Sequence, residues 1–169
     1  MAMFVHIADA RKAGVIARDG LKPGRWRGPD RSGVYAMPVL PSYFAAHQWL
    51  RELKRRGTRT LVGVYFRVPD RETVLVGHYN SPHRPMSAAR ATRVIMDAAD
   101  ARGYEVIVRR KIEARQLHAI RAVNQVVGWR YYPGAHGRVP CGCPACVAPG
   151  AIKSAGLRES YRRETRGLD

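Results

Sequence analysis

The sequence predicts an α+β fold with split, mostly antiparallel β-sheets and flanking helices. The chain has 169 residues and is 46% hydrophobic, which suits one well-packed domain. Short apolar runs typical of strands alternate irregularly with segments of helical periodicity. Their order is β-α-β-α-β-β-α-β followed by a β-rich stretch. Because the strands do not strictly alternate with helices, a doubly wound parallel sheet is disfavoured.

The first half of the chain predicts two strands and two helices. MFVHIA and VYAMPV have the composition of strands. DARKAGVIARDG predicts a short helix with Asp9 as its N-cap and Gly20 at its end. PSYFAAHQWLRELKRRG predicts one longer helix, capped by Ser42 and ended by Gly57. The stretch 21–33 between them is rich in Gly, Pro and Arg and is expected to be a loop.

The second half predicts more strands and one further helix. TLVGVYFRVP and TVLVGHYN are expected to be strands joined by a turn at Pro69 and Asp70. SAARATRVIMDAADARG predicts a helix capped by Ser87, and residues 80–87 before it are expected to form an exposed polar loop. YEVIVRRKI, HAIRAVN and VVGWRYYP are expected to be three more strands.

Charge is the most pronounced property of the composition. The chain has 30 Lys and Arg residues against 13 Asp and Glu, for a net charge of +17. Such a field attracts polyanions, and Arg matches phosphate geometry, so nucleic acid or a nucleotide-bearing ligand is the expected partner. An Arg-rich proteome would give the same balance without such a partner. No apolar window approaches the ~18 residues of a membrane span, and no secretory signal is visible, so we expect a cytoplasmic protein.

Three side chains lie in segments whose order matches a known fold. His6 lies in FVHIADARKAGVIARDGLKPG, Tyr35 in SGVYAMPV and Glu105 in YEVIVRRKIEARQL. Each residue taken alone also fits a structural role. Together these segments resemble the ADP-ribosyltransferase fold in its His-Tyr-Glu branch, which includes diphtheria-toxin-like toxins and the poly-ADP-ribose polymerases. The family usually has H-G-T or H-G-S where this chain has HIA, so the main chain of Ile7 would replace that of the Gly that holds the nicotinamide amide.

The resemblance implies an NAD-dependent enzyme that transfers ADP-ribose to a macromolecule, and the charge of +17 makes nucleic acid the favoured acceptor. A toxin role is a further hypothesis, which the small single-domain size suggests. Cleavage of the nicotinamide–ribose bond leaves a cationic, oxocarbenium-like sugar that a carboxylate can stabilise. Glu105 is the implied carboxylate, Tyr35 would stack on the nicotinamide, and His6 would bond a ribose hydroxyl. We assign the pyrophosphate contact to a cation near the turn after Gly20, and the candidates are Arg11, Lys22, Arg25 and Arg27.

Alternatives remain open for both the acid and the activity. Glu72 lies in the hairpin PDRETV and Glu113 follows the strand, so Glu105 is preferred on position. RNA 2′-phosphotransferases share the resembled fold and use NAD with Arg and His, which suits an Arg-rich chain, but their G-H-S-type motif is missing here. A non-catalytic basic module that binds nucleic acid is the alternative from a different class.

The C-terminal stretch predicts a second kind of site. We expect residues 1–139 to form the ADP-ribosyltransferase-like domain, and residues 140–169 a Cys-containing loop with a basic tail. All three cysteines cluster with a nearby His in a pattern that can complete a structural zinc site, although three reduced thiols in a loop remain an alternative. The candidate ligands are Cys141, Cys143, Cys146 and His136, with His6, His78 or His118 as alternatives to His136.

Overall fold

The computed structural model describes residues 1–24, 32–55, 58–79 and 81–128. The strands are β1 Ala2–Asp9, β2 Val34–Pro38, β3 Leu61–Val68, β4 Thr73–His78, β5 Arg84–Ser87, β6 Tyr104–Val108 and β7 Leu117–Ala122. The helices are α1 Ala13–Asp19, α2 Tyr43–Ala46, α3 Leu50–Arg55 and α4 Ala88–Met96. Two short 3-10 helices, Ala10–Lys12 and Ala114–Gln116, precede α1 and β7.

The strands form a seven-stranded sheet in the order β5-β4-β6-β2-β1-β3-β7. Within the described ranges every pairing between these strands is antiparallel. The helices are few and short beside this sheet. The predicted α+β class with a largely antiparallel sheet is therefore confirmed. None of the helices in the described part of the chain has the length and apolarity needed to cross a bilayer.

The main core lies where α4 packs on the sheet. Ala88, Ala91 and Ile95 of α4 are fully buried, and the rings of Phe4 and Phe66 stack between β1 and β3 with centroids 6.1 Å apart. Full burial of a large apolar side chain stabilises a fold by about 1.5–3 kcal/mol. This packing fixes the central strands that carry the candidate site.

Strand β1 is paired very differently on its two sides. Its ladder with β3 runs along the whole strand, from Ala2 opposite Val68 to Asp9 opposite Leu61. Its ladder with β2 is confined to Phe4 opposite Pro38 and Val5 opposite Met37. Beyond that point no main-chain ladder joins β1 to β2 in the described residues, and we call this unpaired stretch of the two strands the opening.

The predicted N-caps and the predicted turn between β3 and β4 are confirmed. The side chain of Asp9 accepts the N–H of Arg11, and the hydroxyls of Ser42 and Ser87 cap α2 and α4. The turn at Pro69 and Asp70 joins β3 to β4, with the N–H of Glu72 bonded to the carbonyl of Pro69 at 2.9 Å.

Gly20 ends α1 because only glycine fits there. Its φ is +79°, in the left-handed region, and a β-carbon would overlap the carbonyl oxygen of Ile112. The next residue, Leu21, exchanges two main-chain hydrogen bonds with Ile112, at 2.8 and 2.9 Å. The end of α1 is thereby tied to the segment that follows β6.

The single long helix predicted from Ser42 to Gly57 is wrong. In a continuous helix the N–H of Trp49 would bond the carbonyl of Ala45. Instead the side chain of the fully buried Gln48 donates to that carbonyl at 3.2 Å, and the N–H of Leu50 bonds three residues back to His47 at 3.1 Å. A side chain that competes for a backbone carbonyl breaks the helix into α2 and α3.

Three further expectations differ from the structure. The predicted exposed loop at 80–87 contains a strand, β5, because Arg84–Ser87 pairs with β4 at the edge of the sheet. Helix α4 ends at Met96, earlier than predicted. The strand expected at VVGWRYYP begins in a turn at Val126, and its residues 129–133 lie outside the described residues.

Candidate active site

Three neighbouring strands bring the candidate residues together. His6 lies on β1, Tyr35 on β2 and Glu105 on β6, and the sheet order places β6, β2 and β1 side by side. The antiparallel registers of these strands are set by main-chain ladders within a buried sheet. Residues distant in the sequence therefore gather at the middle of the sheet, where it opens.

Tyr35 and Glu105 occupy the same face of the sheet. Tyr35 pairs directly with Ile107 of β6, and Glu105 lies two residues before Ile107. Side chains two apart on a strand share a face, so Glu105 is a diagonal neighbour of Tyr35, at a typical separation of about 7–8 Å. The side chain of Glu105 is 14% exposed, so it is largely buried and a ligand can still contact it.

His6 is held across the opening between β1 and β2. Its Nδ1 lies 2.6 Å from the carbonyl oxygen of Tyr35. Since a carbonyl only accepts, Nδ1 carries the proton and donates it. Val5 pairs with Met37, which shares a face of the sheet with Tyr35, so strand alternation places the side chain of His6 on the opposite face from Tyr35 and Glu105. The hydrogen bond to the main chain of Tyr35, and not a shared face, therefore joins His6 to Tyr35.

The half-buried imidazole of His6 is biased toward its neutral form. Burial lowers the pKa of His6 below its ordinary value of 6.5; the hydrogen bond to Tyr35 opposes this shift, and the charge of Lys12 adds to it. With the proton on Nδ1, a neutral ring has an unprotonated Nε2. Such a nitrogen accepts a hydrogen bond, as recognition of a sugar hydroxyl requires.

The lowered pKa of His6 predicts a pH dependence of stability. The unfolded chain binds a proton near pH 6.5, whereas the folded chain binds it only at lower pH, so acidification through this window favours unfolding. The free energy of unfolding should fall from its value above about pH 6.5 as the pH approaches 5. His6→Asn keeps a donor where Nδ1 lies but does not titrate, so it should lose less. Urea unfolding at a series of pH values measures both proteins, and an equal or greater loss in His6→Asn would contradict this assignment.

Glu105 has a neighbour that the sequence did not indicate. Glu105 pairs with Gly77 of β4, and the main chain of Pro82 and His83 packs over that glycine. The Nε2 atom of His83 lies 3.0 Å from Oε1 of Glu105, and the His83 side chain is only 5% exposed. Nε2 is buried and makes no hydrogen bond among the described residues. Its contact with Oε1 is therefore short but lacks the alignment of a hydrogen bond.

The start of β6 is anchored by the break between α2 and α3. The side-chain oxygen of Gln48 accepts the N–H of Gly103 at 2.7 Å, and its nitrogen donates to the carbonyl of Ala101 at 2.8 Å. The indole N–H of Trp49 donates to the carbonyl of Tyr104 at 2.9 Å. These bonds hold the residues that immediately precede Glu105, so the irregularity in the helix positions the acid.

The cation predicted for the pyrophosphate has another partner. Arg11 is exposed and donates from Nε and Nη2 to both carboxylate oxygens of Asp9, which holds the pKa of Asp9 down at about 2. Lys12, which sequence reasoning missed, is the cation whose charge acts on His6. Lys22 is exposed, and Arg25 and Arg27 lie outside the described residues.

The competing acids have structural roles. Glu72 forms a bidentate ion pair with Arg110, with distances of 2.8 and 2.7 Å. Glu113 pairs with Lys111 at 2.8 Å and caps the 3-10 helix that follows β6. Neither carboxylate lies on β6, whereas Glu105 does.

Ile7, the residue proposed to bind the nicotinamide through its main chain, follows His6 on β1 and pairs with Gly63 of β3.

The proposed zinc ligands cannot be placed from the described residues. Cys141, Cys143, Cys146 and His136 lie outside them, as does the expected segment 140–169. Within the described ranges no group of three or more His, Cys, Asp or Glu side chains is arranged to hold a metal ion. The zinc site therefore stays a prediction from the sequence.

Comparison with known proteins identified no relative of this chain. No protein-family model, curated protein or solved structure matches this chain.

Proposed function

We propose that this chain is an NAD-dependent ADP-ribosyltransferase that transfers ADP-ribose to a macromolecule, with nucleic acid as the favoured acceptor. One observation carries the proposal. An imidazole, a phenol and a carboxylate that are distant in the sequence lie on the adjacent strands β1, β2 and β6. The imidazole of His6 is bonded to the main-chain carbonyl of Tyr35 at 2.6 Å, and Glu105 lies on the same face as Tyr35. This is the trio that the resemblance to the His-Tyr-Glu branch implies.

Each member of the trio has a role in the proposed reaction. The bond between nicotinamide and the ribose carbon breaks, and its electron pair leaves with the nicotinamide. A lone pair of the acceptor forms the new bond to that carbon, and the acceptor's proton passes to Glu105. The carboxylate of Glu105 also stabilises the cationic sugar. The ring of Tyr35 stacks on the nicotinamide, and Nε2 of His6 accepts a hydrogen bond from a ribose hydroxyl.

The opening between β1 and β2 supports an ADP-ribosyltransferase-like split of the sheet. The β1–β2 ladder is limited to the pairs at Phe4 and Val5, while both strands continue beyond it. His6 and Tyr35 border this opening through their mutual hydrogen bond.

The charge distribution favours a polyanionic acceptor. The net charge of the chain is +17. Many cations in the described part of the chain are exposed, among them Lys22, Arg59, Arg71, Arg84, Arg90, Arg93, Arg115 and Arg121. Association with nucleic acid would depend steeply on salt, since each neutralised phosphate releases counterions. Nucleic acid is therefore preferred over a protein acceptor.

Incubation with NAD labelled in its adenylate half tests the proposal. We expect label to pass to single- or double-stranded nucleic acid, with release of nicotinamide and with inhibition by salt. Parallel reactions contain DNA, RNA, RNA carrying a 2′-phosphate, or protein. Loss of the 2′-phosphate would identify the phosphotransferase alternative. Salt-sensitive binding of nucleic acid without any consumption of NAD would instead identify a non-catalytic module and refute the enzyme.

A further inference from the structure

The described part of the chain holds one buried polar atom beside Glu105 that the proposed reaction does not use. This atom is Nε2 of His83, which lies 3.0 Å from Oε1 of Glu105 and makes no hydrogen bond among the described residues. The His83 side chain is 5% exposed. Burial of a polar atom without a partner costs free energy, so such an atom in a native fold calls for a functional or electrostatic reason.

The position of His83 is built into the sheet. Gly77 of β4 pairs with Glu105 of β6, and a β-carbon at Gly77 would lie 3.0 Å from Cα of His83 and 3.1 Å from the carbonyl oxygen of Pro82. The missing side chain at Gly77 therefore lets the segment before β5 approach the sheet. Since paired residues share a face, His83 reaches Glu105 over Gly77.

The short distance determines which ring nitrogen carries a proton. Although the two atoms are not aligned, an unprotonated Nε2 would bring its electron-rich nitrogen within 3.0 Å of the carboxylate oxygen of Glu105, and this contact is repulsive. A protonated Nε2 attracts that oxygen. Donors in active sites often align with their acceptors only when a substrate closes on them, so an unaligned N–H at this distance suits a group that acts during turnover.

We propose that His83 is a positioning residue for Glu105, and that it holds Oε1 so that Oε2 faces the reacting sugar. This role rests on the proposed function. His83 itself need not touch NAD. Its effect is to restrict rotation of the carboxylate, because a group that must stabilise a short-lived cation has to be in place beforehand.

Two substitutions of His83 separate this role from simple packing. Gln places a side-chain nitrogen near the position of Nε2, whereas Asn is too short to reach Glu105. We expect His83→Asn to lower kcat for NAD cleavage about 10- to 100-fold, with KM for NAD changed less than about 2-fold. His83→Gln should recover most of kcat. Gly77→Ala, which displaces the main chain of His83, should reproduce the loss without any change at His83 itself.

The matched control is Met86→Ala. Met86 is a partly buried residue of β5 that pairs with Val74, on the opposite face of β4 from Gly77, so this variant should lose stability and keep the kcat of the wild type. A second readout is independent of turnover. The long-range proton–nitrogen NMR spectrum of His83 should show the proton on Nε2, and this signal should shift in Glu105→Gln.

The possible results are distinguishable. If the wild type cleaves NAD and His83→Asn is equally active, the positioning role fails while the proposed function stands. A proton on Nδ1 alone, with no response to Glu105→Gln, overturns the role in the same way. A wild type that does not consume NAD overturns the proposed function and this role with it, whatever the NMR spectrum shows.

Discussion

Glu105→Gln is expected to lower kcat for NAD cleavage by about 10³-fold, with a much smaller change in KM. The amide has nearly the shape of the carboxylate, so β6 and the contact with Gly77 should persist. It lacks the negative charge that stabilises the cationic sugar and cannot accept the acceptor's proton. Steady-state release of nicotinamide, measured with and without nucleic acid, gives kcat and KM for both proteins.

The matched control for this experiment is Glu72→Gln. Glu72 is also a partly buried glutamate, but it forms an ion pair with Arg110. Loss of that pair should reduce the free energy of unfolding and leave kcat unchanged. Equal activity of Glu105→Gln and wild type would remove Glu105 from the chemistry. A loss of activity in Glu72→Gln that matched the loss in Glu105→Gln would show a general defect of the fold.

Gln48→Ala is expected to have the largest effect on stability, about 3 kcal/mol or more. The substitution leaves the buried N–H of Gly103 and the carbonyl of Ala101 without their side-chain partners, and it removes a fully buried side chain from the core. Because these partners immediately precede Glu105, kcat should fall as well. Urea unfolding and NAD cleavage under conditions where the variant is folded measure the two effects separately.

Gln125→Ala provides the comparison. Gln125 also bonds main-chain groups, since its amide joins the N–H and the carbonyl of Leu61 at the start of β3. Its loss should destabilise the protein, but β3 does not carry the trio, so kcat should be preserved. If both variants lower kcat in proportion to stability, the amide of Gln48 has no specific role in placing β6.

Local patterns were sufficient to predict much of the fold. The caps at Asp9, Ser42 and Ser87 and the stop at Gly20 depend on side chains within a few residues of each helix end. Short apolar runs likewise identified most of the strands. The helix break at Gln48 was not predictable, because its side chain is held by residues more than 50 positions away.

The candidate site was predicted only in part, for the same physical reason. His6, Tyr35 and Glu105 were identified from short motifs and their order along the chain. His83 and Lys12 were missed, because their importance depends on where the sheet places them. His83 contacts Glu105 only because β4 pairs with β6 and because Gly77 has no side chain to keep His83 away. The pairing joins segments that are distant in the sequence, so no local pattern predicts it.

A crystal structure of the Glu105→Gln protein with NAD would show whether the three side chains surround one dinucleotide. We expect the nicotinamide against the ring of Tyr35, a ribose hydroxyl within hydrogen-bonding distance of Nε2 of His6, and the side chain of residue 105 beside the reacting ribose carbon. A dinucleotide bound away from the opening between β1 and β2, or a residue 105 directed away from the ribose, would contradict it.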